Sequence, residues 1–243
     1  MGKVAFVFFT LLSLTANADN LKTPDSTFFY PEVVVDFPIF TGIGGGFSFN
    51  DHIQADFTYG IVPQPFYSFI AQIAARSSGN SSYKDVIEAA FQNNSLLRSA
   101  LTYNLQSKET GWHFSLVAAQ LNSSGSAEID QIIAASNGGD FTILKALLIA
   151  SGKSSKVDMT STLQIVEVLS SYSWFNKTNI IVDLSFGVAK VIDSDVNLKT
   201  GLLAFEASPA GKSLLRSSET DIENIINEYG LAPTVGIQLK YIY

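Results

Sequence analysis

The chain has 243 residues, no cysteine, two histidines and a formal charge of −7. The length suits one domain or two small ones. The missing cysteines exclude a disulfide framework and a lipoprotein attachment site, and the acidic balance excludes the basic footprint of a nucleic-acid binder.

The first 18 residues read as a secretory signal peptide. Lys3 is a short positive region, Val4 to Leu14 is apolar, and Ala16-Asn17-Ala18 fits a small-x-small cleavage site. The apolar run is too short to span a bilayer, and no later run approaches the roughly 20 apolar residues that a transmembrane helix needs. Residues 19–30 are expected to be a periplasmic N-terminal segment ahead of a barrel over 31–243.

From there the sequence alternates. Val33, Val35, Phe37 and Ile39 flank Asp36, and Gly42 to Gly46 could turn this strand into the next, with Pro38 awkward in a sheet interior. Gly45 to Phe49 leads into Asn50-Asp51-His52, a tight-turn composition. Ile53 to Ile61 then alternates cleanly, apolar at odd positions. Leu97, Ser99, Leu101, Tyr103 and Leu105 alternate with Arg98, Ala100, Thr102 and Asn104, and a turn at Lys108 to Gly111 leads to Trp112, Phe114, Leu116 and Ala118. Val166, Val168, Ser170, Tyr172 and Trp174 run into a turn near Lys177, and Ile180, Val182, Leu184, Phe186 and Val188 run out of it. At the C-terminus Val235, Ile237, Leu239, Tyr241 and Tyr243 form an unbroken apolar row against Gly236, Gln238 and Lys240. Side chains alternate between faces of a strand, so each of these ribbons has one apolar face.

The pattern predicts eight strands at about 31–41, 43–50, 53–63, 95–106, 112–122, 160–175, 179–192 and 234–243. Three connections are short, at Asn50, Lys108 and Lys177. Three are long, at about 64–94, 123–156 and 193–233, and each reads as a pair of helices. In the first, Phe66 to Arg76 is followed by a helix capped by Ser82. In the second, Ser126 precedes one helix and Asp140 another, which Gly152 ends. In the third, Ser208-Pro209 starts one helix and Ser218 a second, which Gly230 closes. The fold expected is an all-β transmembrane protein: an eight-stranded antiparallel up-and-down β-barrel with three helix-pair loops on one end.

Lipid cannot hydrogen-bond a backbone, so a sheet within it must close. Eight strands leave an interior just wide enough to be filled by side chains. The polar network expected there comprises Asp36, Asp56, Arg98, His113, Glu167, Asp183 and Lys240. Charges in it must be paired or hydrated. Arg98 and Glu167 sit at equal heights above their turns and can meet across the lumen, while Lys240 neighbours Asp183 and, after closure, the strand of Asp36.

A terminal aromatic on an alternating strand resembles the C-terminal strand of Gram-negative outer-membrane β-barrels. The strand framework as a whole resembles the small eight-stranded class of OmpA and OmpX kind. The resemblance implies that Tyr243, Tyr241 and Leu239 form the signal read by the outer-membrane assembly machinery. It also implies a bacterial outer-membrane location with outer-membrane lipid as the surrounding partner. The paired-helix loops depart from that class. His113-Phe114-Ser115 resembles the His-x-Ser of outer-membrane lipid A deacylases, although alternation aims both side chains into the lumen. No metal site or cofactor is expected: the one Gly-rich run, Gly42 to Gly46, joins two strands without a following helix or lysine. The leading expectation is a non-enzymatic surface barrel whose helical extracellular caps carry its role, with no surface partner that the sequence can name. The alternatives are a narrow channel for small solutes or ions and, behind it, a lipid-modifying enzyme.

Overall fold

The computed structural model describes residues 28–79, 81–105, 111–128, 130–132, 146, 150, 156–176 and 179–242. The expected signal peptide, the turns at Lys108 and Lys177, most of the second long connection and Tyr243 lie outside the described residues.

Eight antiparallel strands close into a barrel in sequence order. They are β1 (Phe28–Phe37), β2 (Phe40–Ser48), β3 (Ile53–Ile61), β4 (Asn93–Asn104), β5 (Gly111–Glu128), β6 (Lys156–Asn176), β7 (Ile180–Lys199) and β8 (Leu231–Tyr241). Closure runs through β1 and β8, with Glu32 opposite Lys240 and Phe37 opposite Val235. Every neighbour is a sequence neighbour, so the barrel is of the up-and-down kind. Between β3 and β4 lie α1 (Gln64–Ser78) and α2 (Ser82–Ala90); between β7 and β8 lie α3 (Leu203–Ala207) and α4 (Pro209–Tyr229). These helices lie at the end of the barrel where β5 ends and β6 begins, and among the described residues no helix is long and apolar enough to cross a membrane.

Phe29, Val33, Ile43, Phe57, Leu97, Phe114, Val168, Phe186 and Ile237 are among many large apolar side chains exposed on the barrel wall. A surface this apolar is solvated by hydrocarbon, and closure satisfies the backbone that hydrocarbon cannot. At the short-turn end, Phe29, Phe47, Tyr103, Trp112, Trp174 and Tyr241 ring the wall. This is the aromatic girdle of a membrane interface.

The wall changes character partway up. On β5 the outward row runs Trp112, Phe114, Leu116, Ala118 and then Gln120, Asn122, Ser124; on β6 it runs Trp174 to Val166 and then Gln164, Thr162, Thr160. On β7 it runs Val182 to Val188, then Lys190. The inward row inverts in step. Its polar members give way to buried Leu121, Ile165, Leu163, Met159, Val157, Val196 and Leu198. Below the line through Gln120, Gln164 and Lys190 the sheet is apolar outside and polar inside. Above it the sheet is built like a water-soluble protein. The span from Trp174 to Val166 is close to the 9–11 residues of a tilted transmembrane strand.

Several local expectations need correction. Gly42 to Gly46 do not turn the chain; they lie within β2, and Pro38-Ile39 form the turn, with Ile39 N–H donating to Asp36 O at 2.7 Å. The glycines leave room for rings. A Cβ at Gly46 would strike Tyr30 and Asp56, and one at Gly42 would strike Phe40. The segment expected over 19–30 is shortened because β1 starts at Phe28, placing Tyr30 in the barrel. The loops expected from 123 and from 193 start later, because β5 runs to Glu128 and β7 to Lys199. Ser126 is therefore in a strand, and the described helical residues of that connection are 130–132, 146 and 150. Ser218 opens no second helix. It is buried within continuous α4, which starts at Ser208-Pro209 with the Ser208 hydroxyl accepting from Gly211 N–H at 3.0 Å. The cap position of α2 is Ser81, not Ser82.

β8 begins at Leu231 opposite Lys190, so β7 above Lys190 has no strand on that side. α4 covers this edge. Glu223 Oε1 accepts from Val196 N–H at 2.9 Å and Glu219 Oε1 from Leu198 N–H at 2.8 Å. Asn227 accepts from the Ser194 hydroxyl at 3.2 Å. Four residues of helix rise about 6 Å, and two residues of strand about 6.6 Å. The i, i+4 spacing of Glu219, Glu223 and Asn227 therefore matches every second residue of β7. An open sheet edge, a template for unwanted pairing, is closed by side chains. Glu206 of α3 ends the ladder, accepting from Thr200 N–H at 2.7 Å and Gly201 N–H at 2.9 Å.

Candidate functional site

Two regions could carry chemistry: the polar lumen and the apolar lobe above it. All seven expected lumen residues are buried in the barrel. Asp36, Arg98 and Glu167 meet toward the cap end. Arg98 Nη2 lies 3.1 Å from Asp36 Oδ2 and 3.8 Å from Glu167 Oε2. The remaining four sit toward the short-turn end. Lys240 Nζ lies 3.0 Å from Asp183 Oδ2 and donates to Gln54 Oε1 at 3.2 Å. His113 Nε2 is 3.8 Å from the same Asp183 oxygen. The Tyr30 hydroxyl donates to Asp56 Oδ1 at 2.5 Å, and its ring lies under Lys240 at 5.2 Å.

Two members of this network were not expected from the sequence: Glu32, which accepts from Gln238 Nε2, and Tyr30. The signal was present, since Tyr30, Glu32, Val34 and Asp36 share a parity, but the strand was expected to start at residue 31. The β1 neighbour of Lys240 is Glu32, and Asp36 is taken by Arg98 instead. Five buried carboxylates thus surround Arg98 and Lys240, the two buried permanent cations among the described residues.

The His-x-Ser pair does not form a nucleophile and base. The Ser115 and Thr102 hydroxyls are hydrogen-bonded at 2.7 Å, while His113 Nδ1 meets the Ser173 hydroxyl at 3.2 Å. Both side chains are engaged with other strands. Among the described residues no group of three acidic or histidine side chains could hold a metal ion.

Above the polar clusters the inward side chains turn apolar. Phe40 is fully buried, with Val34, Val62, Leu96, Leu121, Ile165 and Ala189 in the same cluster. This layer continues into the lobe, where Val86, Ala89 and Ala90 of α2 and Leu215, Ile222 and Ile226 of α4 pack onto the inverted faces of β5, β6 and β7. The packing leaves an apolar cavity of about 130 Å³, lined by residues of α1, α2, α4 and the strand ends. Of the expected assembly signal, Leu239 and Tyr241 lie on the exposed lipid-facing row of β8.

A closed eight-stranded antiparallel barrel with an apolar wall, an aromatic girdle and a polar interior has the architecture of the small outer-membrane β-barrels. No family model and no curated protein matches the chain. Crystal structures of CarO and CarO2 from Acinetobacter baumannii are similar to it. CarO is 8% identical, covers 88% of this chain and 97% of its own, and gives a TM-score of 0.33. CarO2 is 10% identical, covers 90% of this chain and 100% of its own, and gives a TM-score of 0.34. No function is carried over from either.

Proposed function

We propose that this protein is a non-enzymatic barrel of the bacterial outer membrane with a closed lumen, serving as the anchor for the folded lobe on its outer side, and that the lobe carries its role. The observation behind this reading is the inversion of polarity along β5, β6 and β7, which gives one continuous sheet a membrane half and a half built for water. A pore former keeps a hydrated path; here buried side chains crowd the lower lumen around the Arg98 and Lys240 ion pairs, and the apolar Phe40 layer follows above them. The end that holds the C-terminus has only short connections, while the other carries three long ones beside the short β1–β2 turn, which fits the asymmetry of outer-membrane barrels.

Purified protein in planar bilayers is expected to give no stable conductance steps. Reproducible unitary steps would replace this reading with the narrow channel, whose acid-rich interior favours cations. Sidedness is read from intact cells: a single cysteine at exposed Asp195 of β7 should react with a membrane-impermeant maleimide, and one at Asn50 in the β2–β3 turn should not. The reverse pattern would place the lobe on the periplasmic side.

A further inference from the structure

The cavity in the lobe is not a closed void. Among the described residues its lining is almost wholly aliphatic with one aromatic ring, Phe91, and the one polar side chain, Ser161, is already hydrogen-bonded to Ser123 at 2.7 Å. Nothing in it asks for water or for a polar ligand. An aliphatic cavity of this size stays dry and accepts a benzene-sized guest. About half of the lining is buried; Leu231 is 60% exposed, and Ile39, Ile70 and Ile73, with Val191, Ile222 and Ile226 facing them, are partly exposed. These residues mark the open side. Leu231 heads the outward row of β8 that descends through Val235, Ile237, Leu239 and Tyr241. Beside it, Phe37 of the outer wall packs against Phe66 and Phe69 of α1 at 5.0 and 5.1 Å. α1 packs chiefly on α2 and only lightly on α4. The gap between α1 and α4 therefore opens at the upper rim of the lipid-facing band, where the apolar outward row of β8 begins.

Resting on the membrane-barrel reading above, we propose that this cavity takes the end of one hydrocarbon chain from the surrounding leaflet, entering sideways between α1 and the start of β8. The occupant follows from continuity. The apolar wall that hydrocarbon covers runs into the cavity at Leu231, and among the described lining residues the one polar side chain, Ser161, is already engaged with Ser123. The headgroup stays outside at the rim, where Lys190 stands opposite Leu231. The volume admits the terminal five or six carbons of a chain.

The test uses the full chain in phosphatidylcholine vesicles containing a phospholipid with a diazirine at the methyl end of one acyl chain. After illumination, adducts are mapped by mass spectrometry. Adducts are expected on cavity residues such as Met159, Leu121 and Ile226, together with adducts on the outer wall at Val168 and Ile237. Wall adducts alone overturn the inference and leave the barrel reading standing; absence of wall adducts overturns the barrel reading itself. Labelling of the cavity by a free fatty-acid diazirine but not by the phospholipid would overturn the leaflet as the source. Ala90→Leu, which fills the cavity, should lower cavity adducts at least fivefold and leave wall adducts unchanged. Should that variant fail to fold by circular dichroism, competition by n-alkanols on the unaltered protein decides. Each added methylene should strengthen competition about fourfold and the gain should stop near six carbons. A gain that continues unbroken to longer chains reports bilayer partitioning and overturns the inference.

Discussion

Arg98→Met tests whether the lumen is a dry, paired core. Arg98 is 4% exposed and faces Asp36 at 3.1 Å and Glu167 at 3.8 Å. At an effective dielectric of about 20 these contacts are worth about 5 and 4 kcal/mol before desolvation. Burial of the three charges offsets much of that gain. What a single truncation reads is the penalty of two carboxylates left without a partner, about 3–5 kcal/mol for a broken buried pair. Urea unfolding in lipid vesicles can be followed through Trp112 and Trp174, the two tryptophans of the chain, both on the girdle. With a slope of about 2 kcal/mol/M, the midpoint should fall by about 2 M. Adding Asp36→Asn and Glu167→Gln should restore most of the loss, since the neutral triad leaves no unpaired charge. A midpoint shift below about 0.5 M for Arg98→Met would refute the reasoning. It would mean that water or ions already screen these charges, and the closed lumen would then be in doubt.

Three further outcomes follow from the lobe and the terminus. Glu219→Leu with Glu223→Leu should strip two acceptors from the β7 edge, costing about 1–3 kcal/mol for each half-buried N–H left unmet, while the paired Gln variants should stay near the parent; amide exchange at Val196 and Leu198 reads this directly. Slight burial pushes the Glu206 carboxyl up, but the N–H groups of Thr200 and Gly201 and the Thr200 hydroxyl outweigh it and hold it below the usual carboxylate range. A depressed value means that this contribution is present above the unfolded-state pKa and is lost as pH falls through the folded one. Protection from exchange at Thr200 and Gly201, taken relative to the unstructured amide at the same pH, should therefore fall on acidification, and Glu206→Gln should flatten the response. Removal of Tyr243, or Tyr241→Ala with it, should lower the amount of barrel recovered in outer membranes while leaving refolding in detergent unchanged; equal recovery would overturn the assembly-signal expectation.

The strand framework was legible because the outward parity of Ile53 to Ile61, Leu97 to Tyr103 and Val182 to Val188 is set by a single strong demand, apolar contact with lipid. The ends of the strands were not legible for the same reason. Reading strands by their apolar outer row stops at Gln120, Gln164 and Lys190, where that row turns polar. The alternation continues with its sign reversed, so a rule keyed to one face reports a strand end where only the solvent has changed. The glycine run misled differently. Gly42 and Gly46 signal a turn by composition, but their absent side chains make room for Phe40 and Tyr30 across the lumen. The contact of Arg98 with Glu167 could be foreseen by counting residues from each turn, whereas the ladder from α4 to the β7 edge depends on where β8 begins.

The inversion also constrains how the two halves depend on one another. β5, β6 and β7 cross from membrane to lobe without a break in pairing between β5 and β6, and with one register shift between β6 and β7 at Gln164 and Ile165. That bulge falls at the boundary, and the extra residue, Ile192, is 56% exposed. A bulge bends a strand and increases its local twist. It lets β7 leave the wall of the closed barrel and present Val196 and Leu198 to the lobe interior while Asp193 and Asp195 meet water. Membrane half and lobe thus share hydrogen-bonded strands rather than a linker, and the lobe cannot reorient as a tethered domain would. Whatever its surface engages must be met in one fixed pose relative to the bilayer, as expected of a site that opens onto the leaflet.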